Sequence, residues 1–119
     1  MRHRVSGRKL DLPTDQRMAL LKGLVRSLIQ HDKISTTETR AKEVRVIAEK
    51  VITRAKDNTL HSRREARRIL NDEDLVKRLF DTVAPKFAER PGGYTRMIKL
   101  GARRGDAAPM VRLELAYEE

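Results

Sequence analysis

The stretch PGGYTRMIKLGARRGDAAPMVRLELAY, residues 91–117, separates this chain from an all-helical protein. Its last part alternates apolar side chains with polar or small ones, which is the pattern of a strand with one buried face. The apolar positions are Val111, Leu113, Leu115 and Tyr117. Residues 94–100 predict a second strand, and the loop between the two, bounded by glycine and proline, predicts an antiparallel hairpin.

Upstream of this stretch, apolar residues recur at the spacing of three and four that is typical of helices. We predict four helices. The first begins after Pro13 and ends near His31, the second ends at Asp57-Asn58, and the third is short. Pro85 ends the fourth unless one more turn forms around Phe87. The predicted N-caps are Thr14, Thr37, Thr59 and Asp72. The short third helix carries the apolar residues Leu60, Ala66, Ile69 and Leu70.

Residues 33–37, KISTT, are rich in β-branched side chains and predict a short third strand beside the hairpin. Since only one face of this sheet is apolar, helices should cover that face alone. The sequence therefore predicts an α+β fold, with helices packed on one face of a small, mostly antiparallel sheet of about three strands. We expect residues 13–119 to form a single domain and residues 1–12 to form an extended basic N-terminal tail.

The charge of the chain points to its partners. Its 119 residues carry a formal net charge of +10, and the pI is about 10.5. A small protein this basic is expected to bind a polyanion, either nucleic acid or an anionic membrane surface. The absence of cysteine excludes disulfides and thiolate metal ligands. No apolar run reaches the roughly 20 residues of a membrane span, and no signal-peptide pattern opens the chain, so we expect a cytoplasmic location.

A catalytic or metal site finds little support in the residues. His3, His31 and His61 are far apart in sequence, and none has a second ligand at helical spacing. The glycine-rich phosphate-binding motifs of nucleotide enzymes are missing. We therefore expect no enzyme activity, no metal, no cofactor and no small-molecule substrate.

Three basic clusters are the candidate RNA contacts. The tail offers Arg2, His3, Arg4, Ser6, Gly7, Arg8 and Lys9; the hairpin offers Arg96, Lys99, Arg103 and Arg104; the short helix offers Arg63, Arg64, Arg67 and Arg68. Arginine suits RNA because its planar fork binds phosphate bidentately and stacks on unpaired bases. Aromatic residues are only 3% of the chain, which favours contacts to phosphate and sugar over stacking on an aromatic platform.

The helical cluster has two interpretations. Arginines four residues apart on a helix repel one another by a few tenths of a kcal/mol, and phosphates would relieve that repulsion. The alternative is a plain solvated helix face.

Two binding classes and an enzyme compete with RNA binding. A DNA-binding or nucleoid protein should offer a recognition helix or a dimer interface. A membrane-surface protein needs large apolar anchors opposite a basic helix face. The apolar stripes of these helices are better explained by packing on the sheet.

Several stretches resemble one family, the bacterial large-subunit ribosomal protein numbered seventeen. Met1-Arg2-His3 and residues 6–10, SGRKL, are similar to its N-terminus. Residues 34–42, followed by Glu49-x-Val51-Ile52, are similar to its characteristic segment. Residues 93–96, GYTR, with Lys99-Leu100 and residues 103–110, RRGDAAPM, are similar to its C-terminal half. The matches span nearly the whole chain, in order.

The resemblance implies a structural role in the bacterial large ribosomal subunit, without catalysis, metal or cofactor. It implies binding to large-subunit ribosomal RNA near the peptide-exit side, beside neighbouring large-subunit ribosomal proteins and away from membranes. Arg40 and Lys42, which belong to the characteristic segment, join the candidate RNA contacts.

Overall fold

The structure, a computed structural model, describes residues 13–117 of the chain. Its elements in chain order are α1 (Thr14–His31), β1 (Lys33–Thr37), α2 (Glu38–Ala55), α3 (Leu60–Leu70), α4 (Glu73–Arg78), a π-helical segment (Leu79–Val83), α5 (Ala84–Lys86), β2 (Thr95–Ala102) and β3 (Pro109–Leu115). The strands form one antiparallel sheet in the order β1-β3-β2. The α+β prediction is therefore confirmed, while the predicted extended tail lies outside the described residues.

The central strand β3 has the two faces that its alternation predicts. Val111, Leu113 and Leu115 are buried, whereas the intervening side chains lie on the opposite, open face. Leu113 pairs with Ile34 of β1 and Met97 of β2, so the apolar face continues across all three strands. Helices α1 and α2 pack on this face, and the core lies between the helices and the sheet.

Two of the four predicted N-caps form through their side chains. Thr59 accepts a hydrogen bond from the backbone N–H of Ser62 at 3.1 Å, and the Ser62 hydroxyl accepts one from Thr59 N–H in return. Asp72 accepts bonds from the first backbone N–H groups of α4. Thr37 occupies the N-cap position of α2 without a side-chain bond. The prediction for Thr14 is wrong, because α1 already begins there and Pro13 is the N-cap.

Not every apolar residue of α3 reaches the core. Leu60, the first residue of the helix, is 65% exposed, and Ser62 is buried instead. The Ser62 hydroxyl can be buried because its hydrogen bonds with Thr59 satisfy it.

Pro85 does not end the fourth helix; of the two possibilities that the sequence left open, the further turn before Phe87 is the one that forms. Residues 73–86 are helical throughout, but the turn before Pro85 widens, and Ala84 N–H bonds to the carbonyl of Leu79, five residues back. In a regular α-helix the proline ring would clash with the carbonyl four residues before it, and the wider turn relieves that clash. The helix thus continues until Phe87 enters the core, where that side chain is fully buried.

Three of the four aromatic residues form one cluster behind the sheet. The ring of Phe87 lies 5.1 Å from that of Tyr94 and 5.3 Å from that of Tyr117. The Tyr117 hydroxyl donates to Asp32 Oδ1 at 2.8 Å, and Arg78 donates to the same oxygen at 2.9 Å. Burial and the Asp32 bond raise the pKa of Tyr117 well above its usual value. The cluster therefore joins the end of β3 to the end of α1.

Glu49 of α2 holds the start of β2. Its carboxylate accepts hydrogen bonds from the backbone N–H groups of Gly93, Tyr94 and Thr95 at 3.0–3.2 Å, and from the Thr95 hydroxyl at 2.9 Å. One turn and two turns further along α2, Thr53 and Lys56 lie 3.3 and 3.0 Å from the hydroxyl of buried Tyr94. The segments Glu49-x-Val51-Ile52 and GYTR, which carry the family resemblance, therefore meet in space as a structural contact.

We expect Glu49→Ala to lower the free energy of unfolding by about 3 kcal/mol, because several backbone donors lose a charged acceptor. The free energy of unfolding of Glu49→Gln should lie between those of this variant and the wild type, since glutamine keeps one acceptor oxygen. Chemical denaturation measures the effect. The control is Glu89→Ala, which removes an exposed carboxylate that lies in a turn. A loss for Glu49→Ala no larger than that of the control would contradict the role of this contact.

Candidate nucleic-acid interface

The tail cluster is a prediction that the structure does not test. Arg2, His3, Arg4, Ser6, Gly7, Arg8 and Lys9 all lie outside the described residues. The hairpin and helical clusters, with Arg40 and Lys42, lie within them.

The loop between β2 and β3 presents its two arginines differently. Backbone bonds from Arg103 N–H to the Ala108 carbonyl, at 2.8 Å, and from Ala107 N–H to the Arg103 carbonyl, at 2.9 Å, close the loop. Gly105 has a φ of +100°, a conformation that glycine adopts without strain. The Arg103 guanidinium donates to both oxygens of Asp106, at 3.1 and 2.6 Å. Arg104 is exposed and forms no hydrogen bond or ion pair within residues 13–117.

The ion pair in this loop lowers the pKa of its acid, Asp106. The Arg103 hydrogen bonds, followed by the bond from Ala108 N–H, lower the pKa of Asp106 to about 2. The carboxylate is therefore ionised at neutral pH, and Arg103 is occupied by it. Of the two arginines, Arg104 is the one available to an external phosphate.

Arg96 and Lys99, predicted as one cluster with the loop, lie on opposite faces of the sheet. Arg96 pairs in register with Glu114 and bonds to its carboxylate at 3.2 Å on the open face. Lys99 pairs with Val111, whose side chain is on the helix-covered face, and is itself exposed near the sheet end. The period of two in a strand explains the separation, because the residues are three apart.

Besides Arg96, the open face of the sheet contains two basic residues that the sequence analysis missed, Lys33 and Arg112. Lys33 of β1 and Arg96 of β2 flank Glu114, and Arg112 lies 3.8 Å from the same carboxylate. The buried Nε of Arg112 has no hydrogen-bond partner in the described part of the chain. The alternation of β3 already put Arg112 on the open face, and this was the signal that could have identified it.

The four arginines of α3 form two groups, one that contacts acids of this chain and one that does not. Arg63 lies 4.6 Å from the ring centre of Phe80 and 3.7 Å from Asp81, and Arg67 binds Glu73 through two nitrogens, at 2.5 and 3.2 Å. Arg64 and Arg68 are exposed and have no partner among residues 13–117. Carboxylates of the following helix therefore already relieve much of the repulsion that suggested phosphate binding.

Arg68 instead faces a groove that neither interpretation of the helical cluster anticipated. The groove runs between α1 and α3 and is lined by Lys22, Arg26 and Arg68, with Asp15 as its acid. Lys22 and Arg26 lie off the apolar stripe of α1, so their exposure was predictable. Their closeness to Arg68 was not, because it depends on how α1 and α3 pack.

The remaining candidates lie at the start of α2. Lys42 pairs with Glu38 one turn before it, at 3.2 Å. Arg40 is exposed and forms no ion pair within the described ranges. Arg40 is thus the more available of the two.

Other chemistry was sought in the same residues. Across residues 13–117, no group of three or more His, Cys, Asp or Glu side chains is placed to hold a metal ion. His61 contacts Glu65 at 2.5 Å and is largely exposed. Nor does any helix in the described chain have the length and apolarity needed to cross a membrane.

Comparison with known proteins gives one family. The family described as ribosomal protein L17 matches residues 20–116. The chain is 60% identical over 108 residues to the large ribosomal subunit protein bL17 of Clostridium perfringens strain SM101, and 63% identical to that of Clostridium botulinum strain Eklund 17B. Each alignment covers 91% of this chain and 96% of the relative.

The low pKa of Asp106 predicts an acid transition confined to the loop. Since the folded loop favours the ionised carboxylate, the Arg103 contact should be complete above about pH 4, the usual aspartate range, and should be lost as pH falls through about 2. An NMR titration of the Ala108 amide should therefore have its midpoint near pH 2. Arg103→Ala should move this midpoint up towards 4, and Arg104→Ala should leave it in place. A wild-type midpoint near 4 would show that the pair does not form.

Proposed function

The chain belongs to the ribosomal protein L17 family, and on that premise we propose that it is a structural constituent of the bacterial large ribosomal subunit that binds large-subunit ribosomal RNA. It is not an enzyme. Its partners are ribosomal RNA and other ribosomal proteins, and its location is the ribosome, in the cytoplasm. The identity of about 60% over nine-tenths of the chain is the observation that carries this proposal.

The arrangement of the arginines supports RNA binding and suggests which residues carry it. Arg40, Arg64, Arg68 and Arg104 are exposed and lack a carboxylate partner within residues 13–117. Each can neutralise a phosphate without giving up an existing ion pair. Arg63, Arg67, Arg96 and Arg103 already contact carboxylates, so a phosphate would have to displace an acid. We assign the main contacts to the first group.

Three further surfaces complete the proposed interface. The groove between α1 and α3 adds Lys22 and Arg26 beside Arg68. The open face of the sheet adds Arg112, whose guanidinium lies 3.8 Å from the Glu114 carboxylate and could reach a phosphate laid across that face. The basic tail, Arg2 to Lys9, remains part of the proposal on its sequence, as does Lys99 at the sheet end.

Two adjacent arginines on α3, Arg67 and Arg68, test whether the arginines without an acid partner make the main RNA contacts. Arg68→Ala should reduce the slope of log affinity against log salt by about one unit, as expected for one lost phosphate contact. Arg67→Ala should change the slope by less than half as much and instead lower the free energy of unfolding by at most about 1 kcal/mol, because it removes an exposed ion pair. Salt titrations with a ribosomal RNA fragment and thermal melts of both variants measure the two effects.

The loop repeats the test at an independent site. Arg104→Ala should weaken RNA binding and leave the melting temperature unchanged, since the side chain has no partner to lose. Arg103→Ala should have the smaller effect on the salt slope. The salt slope could instead change equally for Arg67→Ala and Arg68→Ala, and equally for Arg103→Ala and Arg104→Ala. That result would mean that ion pairing inside the chain does not select the RNA contacts.

Membership of the large subunit is tested by sedimentation. A tagged copy of the chain in a bacterial lysate should travel with the large subunit in a sucrose gradient and leave it as salt rises. Sedimentation at the position of free protein at low salt would contradict the proposed function.

A further inference from the structure

An apolar socket opens on the helical side of the molecule, between α1, α2 and α3. Its lining is Met18, Ile47, Val51, Ala66 and Ile69, and we refer to these residues as the helix socket. It encloses about 240 Å³. Sites for drug-sized ligands usually enclose about 300–1,000 Å³, so the helix socket is better matched to a single large side chain.

The lining of the helix socket is incompletely buried. Met18 is 37% exposed, and Ile47 and Ile69 are only partly covered by the core. Large apolar side chains grouped around an open concavity are a common feature of protein contact sites, where an anchoring side chain of the partner fills the pocket.

The rim of the helix socket is positively charged. Lys22 and Lys50 line it and have no ion pair with the described residues. Arg54 also lines it, but binds Glu65, which His61 contacts as well. The two lysines therefore favour a partner that presents carboxylates beside its apolar group.

We propose that the helix socket binds an apolar side chain of a neighbouring large-subunit ribosomal protein, on a segment with an adjacent Asp or Glu that pairs with Lys50. This inference rests on the proposed function, since it requires the chain to sit among ribosomal proteins. It goes further by identifying the surface and the chemistry of the partner segment.

Other occupants fit the helix socket less well. Its apolar lining is aliphatic, with no aromatic ring on which a nucleotide base could stack and few groups to read a base edge. Residues 1–12 of this chain contain four cationic side chains, Arg2, Arg4, Arg8 and Lys9, against one acid, Asp11, so the rim lysines would repel the segment as a whole. A second copy of the chain would bring a net charge of +10 to the same rim.

Site-specific cross-linking in assembled subunits tests the proposal. A diazirine-bearing lysine analogue placed at position 50 keeps the rim charge and reaches the occupant on irradiation. We expect a ribonuclease-resistant adduct with one other subunit protein, joined at a peptide that has an apolar residue within about three positions of an Asp or Glu. Mass spectrometry of the adduct identifies that peptide.

A pair of substitutions shows whether the adduct depends on the helix socket. Met18→Lys, made with the analogue in place, should reduce its yield at least tenfold, because a charge then occupies the apolar site. Val46→Lys changes an exposed apolar residue of α2 outside the socket and should leave the yield unchanged. Since Met18→Lys adds a positive charge, it would not weaken an RNA occupant. Met18→Gln replaces Met18→Lys if melting curves show that the lysine variant is unfolded.

Several outcomes would overturn the proposal: an adduct that ribonuclease removes, an adduct with residues 1–12 or a second copy, no adduct, or equal losses for Met18→Lys and Val46→Lys. In each of these the chain still sediments with the large subunit, so the proposed function stands. If the chain does not sediment with the subunit at all, the proposed function fails as well.

Discussion

The carboxylate of Glu49 connects the helical layer to the sheet at the start of β2, where no neighbouring strand accepts the backbone N–H groups. β2 is an edge strand, and the backbone N–H groups of its first residue and of the two residues before it bond to α2 instead of to another strand. By accepting three of these bonds, Glu49 sets where the hairpin starts and how it lies against α2. Tyr94 then enters the core with its hydroxyl beside Lys56, and Phe87 and Tyr117 pack around it. The position of the Arg103-Arg104 loop follows from this anchor.

The acids of this chain determine which arginines are available. Asp32, Asp81, Glu73, Asp106 and Glu114 each contact an arginine. Most of these pairs are exposed, and such pairs add little to stability. Their larger consequence is that the paired guanidinium groups already have an anion. Arg40, Arg64, Arg68, Arg104 and the groove between α1 and α3 are among the places where positive charge is left without an acid partner in the described residues. A formal charge of +10 is thus distributed unevenly over the surface.

Two kinds of surface follow from this arrangement. The unpaired arginines suit a polyanion, which they attract over distances set by ionic strength and bind through phosphates. The helix socket suits a short-range contact that excludes water from an apolar group. The two surfaces adjoin at Met18 and Lys22, which line both the socket and the basic groove. A large-subunit protein that contacts RNA and protein neighbours needs both kinds.

The sequence by itself determined the α+β class, the three strands, the buried face of β3 and the family, because alternation, helical spacing and motif order are local patterns. It also pointed to three basic clusters, of which the tail lies outside the described residues and the hairpin cluster divides between the two faces of the sheet. It did not separate Arg103 from Arg104, or Arg67 from Arg68, which are neighbours of identical chemistry. It left open whether the helix would continue past Pro85, where burial of Phe80, Val83 and Phe87 favours the further turn. Only the tertiary structure decided these points, because each depends on a group brought near through space: Asp81 to Arg63, Glu49 to residues 93–95, and α1 to Arg68. Periodicity along a chain predicts on which face of its helix or strand a side chain lies, but it does not predict which residue of another element contacts it.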